Sequence, residues 1–282
     1  MTSPCQEVLK RVGDLGAVPG TAGRILAALS DPRASATKVG SEISKDQGLT
    51  ATVLRAANSS YYHASRQVRD LTEALVIVGY ESVRDLVIGR LSRGAHSGSD
   101  PTQKILWKHA LATALASQAC ARLVKGVTVS HAFTCGLLHD IGKAILNQAF
   151  PQEYGTVLKL SSTFADTTLE IERQRWGTDH AEVGGEVLKL WQLPPACEMT
   201  ARLHHDLGAI PDLPDGQRRI VAMVALANEV ASWTGRGMRP ARPAAELADH
   251  PMLGVLGATR SVIDAMDAQI SGEIAALEGI FG

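Results

Sequence analysis

Apolar residues recur along this chain at spacings of three and four rather than two, so the elements they predict are helices from end to end. A short leader helix comes first. Pro19-Gly20-Thr21 then breaks the chain and caps a helix carrying Ile25, Leu26 and Leu29, which stops before Asp31-Pro32. A helix with Val39 and Ile43 follows, and Asp46 caps another whose apolar side is Leu49, Val53, Leu54 and Ala57. Asn58-Ser59-Ser60-Tyr61-Tyr62 ends it in polar turn chemistry. Leu71 to Val78 resumes a helix that Gly79 closes, and Glu81 to Leu91 makes one more. Helices this short are not stable alone, so they must pack on each other.

Ser92 to Pro101 has the makeup of a flexible connector, and the pattern beyond it changes to longer, more apolar helices. Thr102 to Lys125 reads as a buried helix ended by Gly126, with Trp107 and His109 in its early turns. Ser130 is expected to cap a helix running to about Ala149. Helices at 151–164 and 166–176 precede the turn Gly177-Thr178-Asp179. His180 to Trp191 follows with Val183, Val187, Leu188 and Trp191 inward, and Pro194-Pro195 opens a helix ending in Arg202-Leu203-His204-His205-Asp206. A loop leads to Gln217–Trp233, which contains Asn228; Gly235 to Pro240 is a surface loop, and helices near 244–258 and 260–281 finish the chain. The reading is all-α: an N-terminal helical part (1–94), a helical core (102–234) and a C-terminal cap (235–282).

Composition supports this class and excludes others. Among 282 residues, 45% are apolar and only 4% aromatic, ordinary for a globular protein with a substantial core. Lys plus Arg is 28 against Asp plus Glu 29, so no general field draws the chain to nucleic acid or an acidic membrane. The start lacks the basic and apolar regions of a secretory signal, and no apolar run approaches membrane-spanning length, so a cytoplasmic location is expected. Cys5, Cys120, Cys135 and Cys197 form no C-x-x-C pair, which argues against a thiolate zinc site or a disulfide framework.

Candidate chemistry concentrates at Gly136-Leu137-Leu138-His139-Asp140-Ile141-Gly142-Lys143. On one continuous helix, His139 and Lys143 share a face and Asp140 lies about 100° round, so all three reach one point. Burying a carboxylate beside an imidazole and an ammonium is costly unless something satisfies them. A divalent cation would do so, and so would a closed hydrogen-bond network. His109, His180, His204 and His205 also fall on or at the ends of helices, and a helical bundle can gather such residues to one point. That donor set, rich in nitrogen with one carboxylate, suits Mn, Fe, Zn or Ni better than Ca or Mg.

His109 followed by Leu138-His139-Asp140-Ile141-Gly142-Lys143 resembles the metal-dependent phosphohydrolase superfamily named for its His-Asp pair. Asp46-Gln47-Gly48-Leu49-Thr50, Leu54-Arg55-Ala56-Ala57-Asn58-Ser59, Leu71-Thr72-Glu73-Ala74-Leu75 and Val78-Gly79 narrow the resemblance to the HDOD family, the HD-related output domain of bacterial signalling proteins. His180-Ala181-Glu182-Val183-Gly184, Trp191-Gln192-Leu193-Pro194 and His204-His205 match its second half, so that it covers residues 15 to 235. The resemblance implies a helical output module in bacterial signal transduction, with a signalling protein as partner. It places His109, His139, Asp140, His180, His204 and His205 at ligand-like positions for one or two divalent transition-metal ions. Lys143 falls at a phosphate-contacting position, and Asp140 and Lys143 are the pair on which catalysis would rest.

Two departures weigh against turnover. The superfamily's last acidic ligand belongs in the Gln217–Trp233 helix, where Ala227-Asn228-Glu229 offers the neutral Asn228, and Asp206-Leu207-Gly208-Ala209-Ile210-Pro211 does not continue as the signature of the cyclic-di-GMP phosphodiesterases. One turn before His109, where some of those enzymes hold a glutamate, stands Ile105. Three uses of the centre follow: a structural metal in an output module, hydrolysis of a nucleotide or cyclic dinucleotide, or sensing of a nucleotide without hydrolysis.

Overall fold

In the computed structural model, residues 2–13, 20–31, 33–62, 67–96, 100–163, 168–236, 241 and 244–281 are described. Every regular element among them is helical. In order these are α1 (Pro4–Val12), α2 (Gly20–Ser30), α3 (Ala36–Ile43), α4 (Gln47–Ala57), α5 (Leu71–Val78), α6 (Tyr80–Ala95), α7 (Pro101–Leu123), α8 (Val129–Leu138), α9 (Ile141–Ala149), α10 (Tyr154–Thr163), α11 (Thr168–Trp176), α12 (His180–Leu190), α13 (Pro195–Leu203), α14 (Asp215–Trp233), α15 (Pro251–Leu256) and α16 (Ser261–Phe281), with 3₁₀ turns at Ile210–Asp212 and Ala244–Leu247. Packing divides the chain into two compact units: Met1–Gly16 with Ala95–Gly272, and Ala17–Gly94 with Glu273–Gly282. Among the described residues no helix is long and apolar enough to cross a membrane.

The second of these units holds α2 to α5. The Asp46 carboxylate accepts from Leu49 N at 2.9 Å to start α4, and Asp70 accepts from Glu73 N at 3.0 Å to start α5, each answering an N–H that the helix itself leaves unpaired. Gly79, at φ 79°, ends α5 in a backbone region that side chains disfavour. Asn58 is used internally. Its Nδ2 donates to Leu54 O and Val68 O, and its Oδ1 accepts from Val68 N, all at 2.8 Å, which ties the end of α4 to the chain ahead of α5.

The first unit is built round α7. Asp100 caps it, accepting from Thr102 N at 2.9 Å, and Pro101 sits where a missing N–H costs nothing. Its apolar residues run all the way round, from Leu106 to Cys120, so it is buried between α8 and α14. Small residues permit close approach: a Cβ added to Gly136 on α8 would lie 2.6 Å from Ser117 Oγ and 2.8 Å from Thr113 O on α7. The same device joins α9 to α12, where a Cβ on Gly142 would lie 2.7 Å from Gly184 N and overlap the His180 carbonyl.

Several expected boundaries move. Ser92–Ala95, expected in a connector, complete α6, and residues 97–99 of that stretch lie outside the described residues, as do Pro19 and residues 237–240. Thr128 rather than Ser130 caps α8, its hydroxyl accepting from His131 N at 3.3 Å. The expected helix at 244–258 is a 3₁₀ turn and the short α15, because Pro251 has no N–H and starts a helix more readily than it continues one. The stretch from Ser130 to Ala149 is two helices, not one, and the break falls at His139-Asp140.

Candidate metal centre

The break is what builds the centre. His139 closes α8, and Asp140, at φ −107° and ψ 16°, occupies the sparsely used bridge region before α9 restarts with Lys143 N donating to Asp140 O at 2.9 Å. Asp140 stands at the N-terminus of α9 without capping it. Its carboxylate turns into the core, where it is 3% exposed. Expected geometry on a single helix is thus replaced by a corner, and Lys143 still reaches Asp140, Nζ to Oδ2 at 2.6 Å.

Four helices, α7, α8, α12 and α13, deliver five imidazoles to this corner. His109 Nε2 from α7 and His139 Nε2 lie 3.6 and 3.4 Å from Asp140 Oδ2. His180 Nε2, at the first position of α12, and His204 Nε2, at the end of α13, lie 3.4 and 3.3 Å from Asp140 Oδ1. His205 Nε2 is 3.0 Å from His180 Nε2. Two groups of ligand atoms result, each within 4.8 Å: Asp140 with His180, His204 and His205, and Asp140 with His109 and His139. The seventh expected residue, Asn228 on α14, meets the nitrogen of His109 that faces Asp140, its Oδ1 2.9 Å from His109 Nε2.

The second nitrogen of each ring fixes which one is free. His139 Nδ1 is 2.7 Å from Gly136 O, and His204 Nδ1 is 3.1 and 3.0 Å from Thr200 O and Ala201 O. A carbonyl only accepts, so both rings carry a proton on Nδ1. His180 Nδ1 likewise donates, at 2.6 Å, to Glu172 Oε2 on α11. In a neutral ring each Nε2 then carries no proton and faces the Asp140 carboxylate, and His180 Nε2 accepts from His205 Nε2 at 3.0 Å.

Hydrogen bonds answer only part of this arrangement, Lys143 Nζ donating to Asp140 Oδ2 and His205 Nε2 meeting His180 Nε2. His139 Nε2, His204 Nε2 and Asp140 Oδ1 are buried without a partner among the described residues, which disfavours the closed network that the composition allowed. Burial pushes His109 down to about 3 and His204 down to about 4, and it holds His205 well below the usual histidine range; all three are neutral imidazoles near pH 7. For Asp140, burial acts upward, but Lys143, His139 and His204 outweigh it and keep the carboxyl well below its ordinary range. Converging lone pairs and one carboxylate fit a divalent transition ion. The two groups are not equal. In the second, Asn228 engages His109 and contributes no charge.

Glu172 is the residue that sequence reasoning missed. It lies in Glu170-Ile171-Glu172-Arg173, which reads as an ordinary solvated helix face, yet it is fully buried. Its only sequence signal is a position eight residues before His180.

A family model described as the HDOD domain matches residues 15–207. The chain belongs to the HDOD family. An HDOD domain protein with unknown function from Geobacter sulfurreducens is 29% identical, with a TM-score of 0.81 over 99% of this chain and 97% of that one. The HDOD fold also recurs in a provisionally named phosphohydrolase from Shewanella amazonensis SB2B, 22% identical, with a TM-score of 0.74 over 98% of both chains. An uncharacterized protein of Treponema pallidum (strain Nichols) is 24% identical over 231 residues, 80% of this HDOD chain and 44% of that protein, so the chain spans less than half of that relative.

Proposed function

We propose that this HDOD protein is a signalling output module whose core is held by one divalent transition-metal ion, Fe, Mn, Ni or Zn, bound by Asp140, His180, His204 and His205. The observation that carries the reading is the set of buried, partnerless acceptors, His139 Nε2, His204 Nε2 and Asp140 Oδ1. A second, weaker position at His109, His139 and Asp140 lacks the carboxylate that Asn228 replaces. The ion fixes the relative placement of the helices that carry its ligands, and binding adds to stability by mass action. A signalling protein is the expected partner, in the cytoplasm, with no role for nucleic acid or membrane.

A second reading, a metal-dependent phosphohydrolase acting on a nucleotide or cyclic dinucleotide, is favoured by Lys143, whose ammonium sits 2.6 Å from Asp140 Oδ2 at the edge of the centre. When bound, the ion supplies a Lewis acid that polarises a phosphoryl oxygen and lowers the pKa of water. Lys143 would leave Asp140 to pair with the phosphate and offset its developing charge, and Asp140 would hold the ion. Asn228 cannot supply the charge that a two-ion centre needs, which places output function ahead of turnover.

Elemental analysis of the purified full chain, with a manganese-supplemented phosphodiesterase assay, separates the readings. The output reading expects about one equivalent of metal, no turnover, and partner binding that resists chelators. His139→Ala combined with Asp140→Ala is expected to abolish bound metal, and hydrolysis that survives it rules the enzymatic mechanism out. A nucleotide that raises the melting temperature and emerges unchanged would assign sensing instead.

A further inference from the structure

We propose that Glu172 is the positioning residue of this centre, setting the tautomer and ring orientation of His180 so that its Nε2 is presented toward Asp140. This deepens the metal-binding reading and rests on it. Glu172 is 0% exposed, and both its oxygens are occupied: Oε2 accepts from His180 N at 2.8 Å and from His180 Nδ1 at 2.6 Å, and Oε1 accepts from the Tyr154 hydroxyl at 2.5 Å. Backbone and ring of one residue are therefore held by one carboxylate oxygen. The other oxygen fixes the plane of the carboxylate.

Tyr154 is itself immobilised. It is fully buried and stacks on Trp176 at 5.9 Å, and Trp176 stacks on Phe150 at 4.6 Å and 11°. Among the described residues no arginine or lysine pairs with Glu172; neighbouring Arg173 pairs with Asp179 instead. The charge of Glu172 is thus answered through the His180 ring, an arrangement that gains most when a cation polarises that ring from its other nitrogen. Helix capping accounts only for the bond from His180 N, since Asp179 caps α12 by accepting from Glu182 N at 2.9 Å and neither bond calls for the contact to Nδ1. His139 and His204 rely on backbone carbonyls for the same service, whereas the aim of His180 depends on a side chain.

The test uses the full chain with ¹⁵N-labelled histidine, read by NMR, and zinc affinity measured by calorimetry. Wild-type, metal-free protein is expected to show His180 as the Nδ1–H tautomer. Glu172→Leu is expected to release that tautomer while leaving those of His139 and His204 unchanged, and to weaken zinc binding about 10- to 100-fold. Glu172→Gln keeps an acceptor and is expected to keep the tautomer, with affinity nearer to wild type. An Nε2–H tautomer in the wild type, or a folded Glu172→Leu that binds zinc as tightly as wild type, overturns the proposal. Should Glu172→Leu fail to fold, the wild-type tautomer and the Glu172→Gln affinity decide. A wild type that takes up no zinc removes both the positioning role and the metal reading, an outcome distinct from normal zinc binding in the variant.

Discussion

Replacing Gly142 with alanine is expected to pull the centre apart from behind. The added Cβ would lie 2.7 Å from Gly184 N and overlap the His180 carbonyl, against an ordinary contact of 3.4–4 Å, and both neighbours are backbone that no rotamer change can move aside. Overpacking of this kind costs about 1–3 kcal/mol, and rigid neighbours put Gly142→Ala at the top of that range. Better helix propensity returns about 0.5–1 kcal/mol, leaving a net loss of about 2 kcal/mol. At about 2–4 °C per kcal/mol for a chain approaching this size, the melting midpoint falls by about 4–8 °C. Because α12 begins with His180, its retreat from α9 also moves that ring away from Asp140, so metal content should fall in the same variant. Gly272→Ala is the control: nothing lies within 4 Å of its Cβ, and an exposed helical site should gain stability, a rise of about 1–4 °C. Differential scanning calorimetry with elemental analysis reads both quantities. A Gly142→Ala protein that melts with wild type and keeps its metal would refute the close-packing account of how α9 and α12 meet.

Asn228→Asp restores a carboxylate beside His109 and is expected to raise bound manganese from about one equivalent toward two, measured by elemental analysis; unchanged stoichiometry would contradict the charge argument for an unequal pair of sites. Asn58→Ala removes three 2.8 Å hydrogen bonds at a solvent-exposed position and should cost about 1–2 kcal/mol in denaturant melts, with no effect on metal content. All four cysteines are buried, with burial pushing Cys5 up to about 11 and Cys120 up to about 12, so a thiol reagent should label native protein only at the rate of opening and label all four in denaturant. Rapid native labelling would contradict their placement.

Much of this protein was legible before any coordinates. Period and punctuation gave the helices, because a buried stripe at spacings of three and four and a cap such as Asp46 are properties of neighbouring residues. The order of His109, His139-Asp140, His180 and His204-His205 was enough to resemble a family and to nominate its ligands. Three things were decided only by tertiary structure. The chain breaks at His139-Asp140, inside a stretch whose composition favours one unbroken helix, because Asp140 is held by partners on α7, α9, α12 and α13 rather than by its own helix. Glu172 is buried in a segment that looks solvated, because the side chains that make it useful, Tyr154 and His180, come from other elements. The free nitrogen of each imidazole depends on what the opposite nitrogen touches, and a sequence carries no record of that. Local propensity is written along the chain, whereas the direction of a lone pair is set by whatever packs across from it.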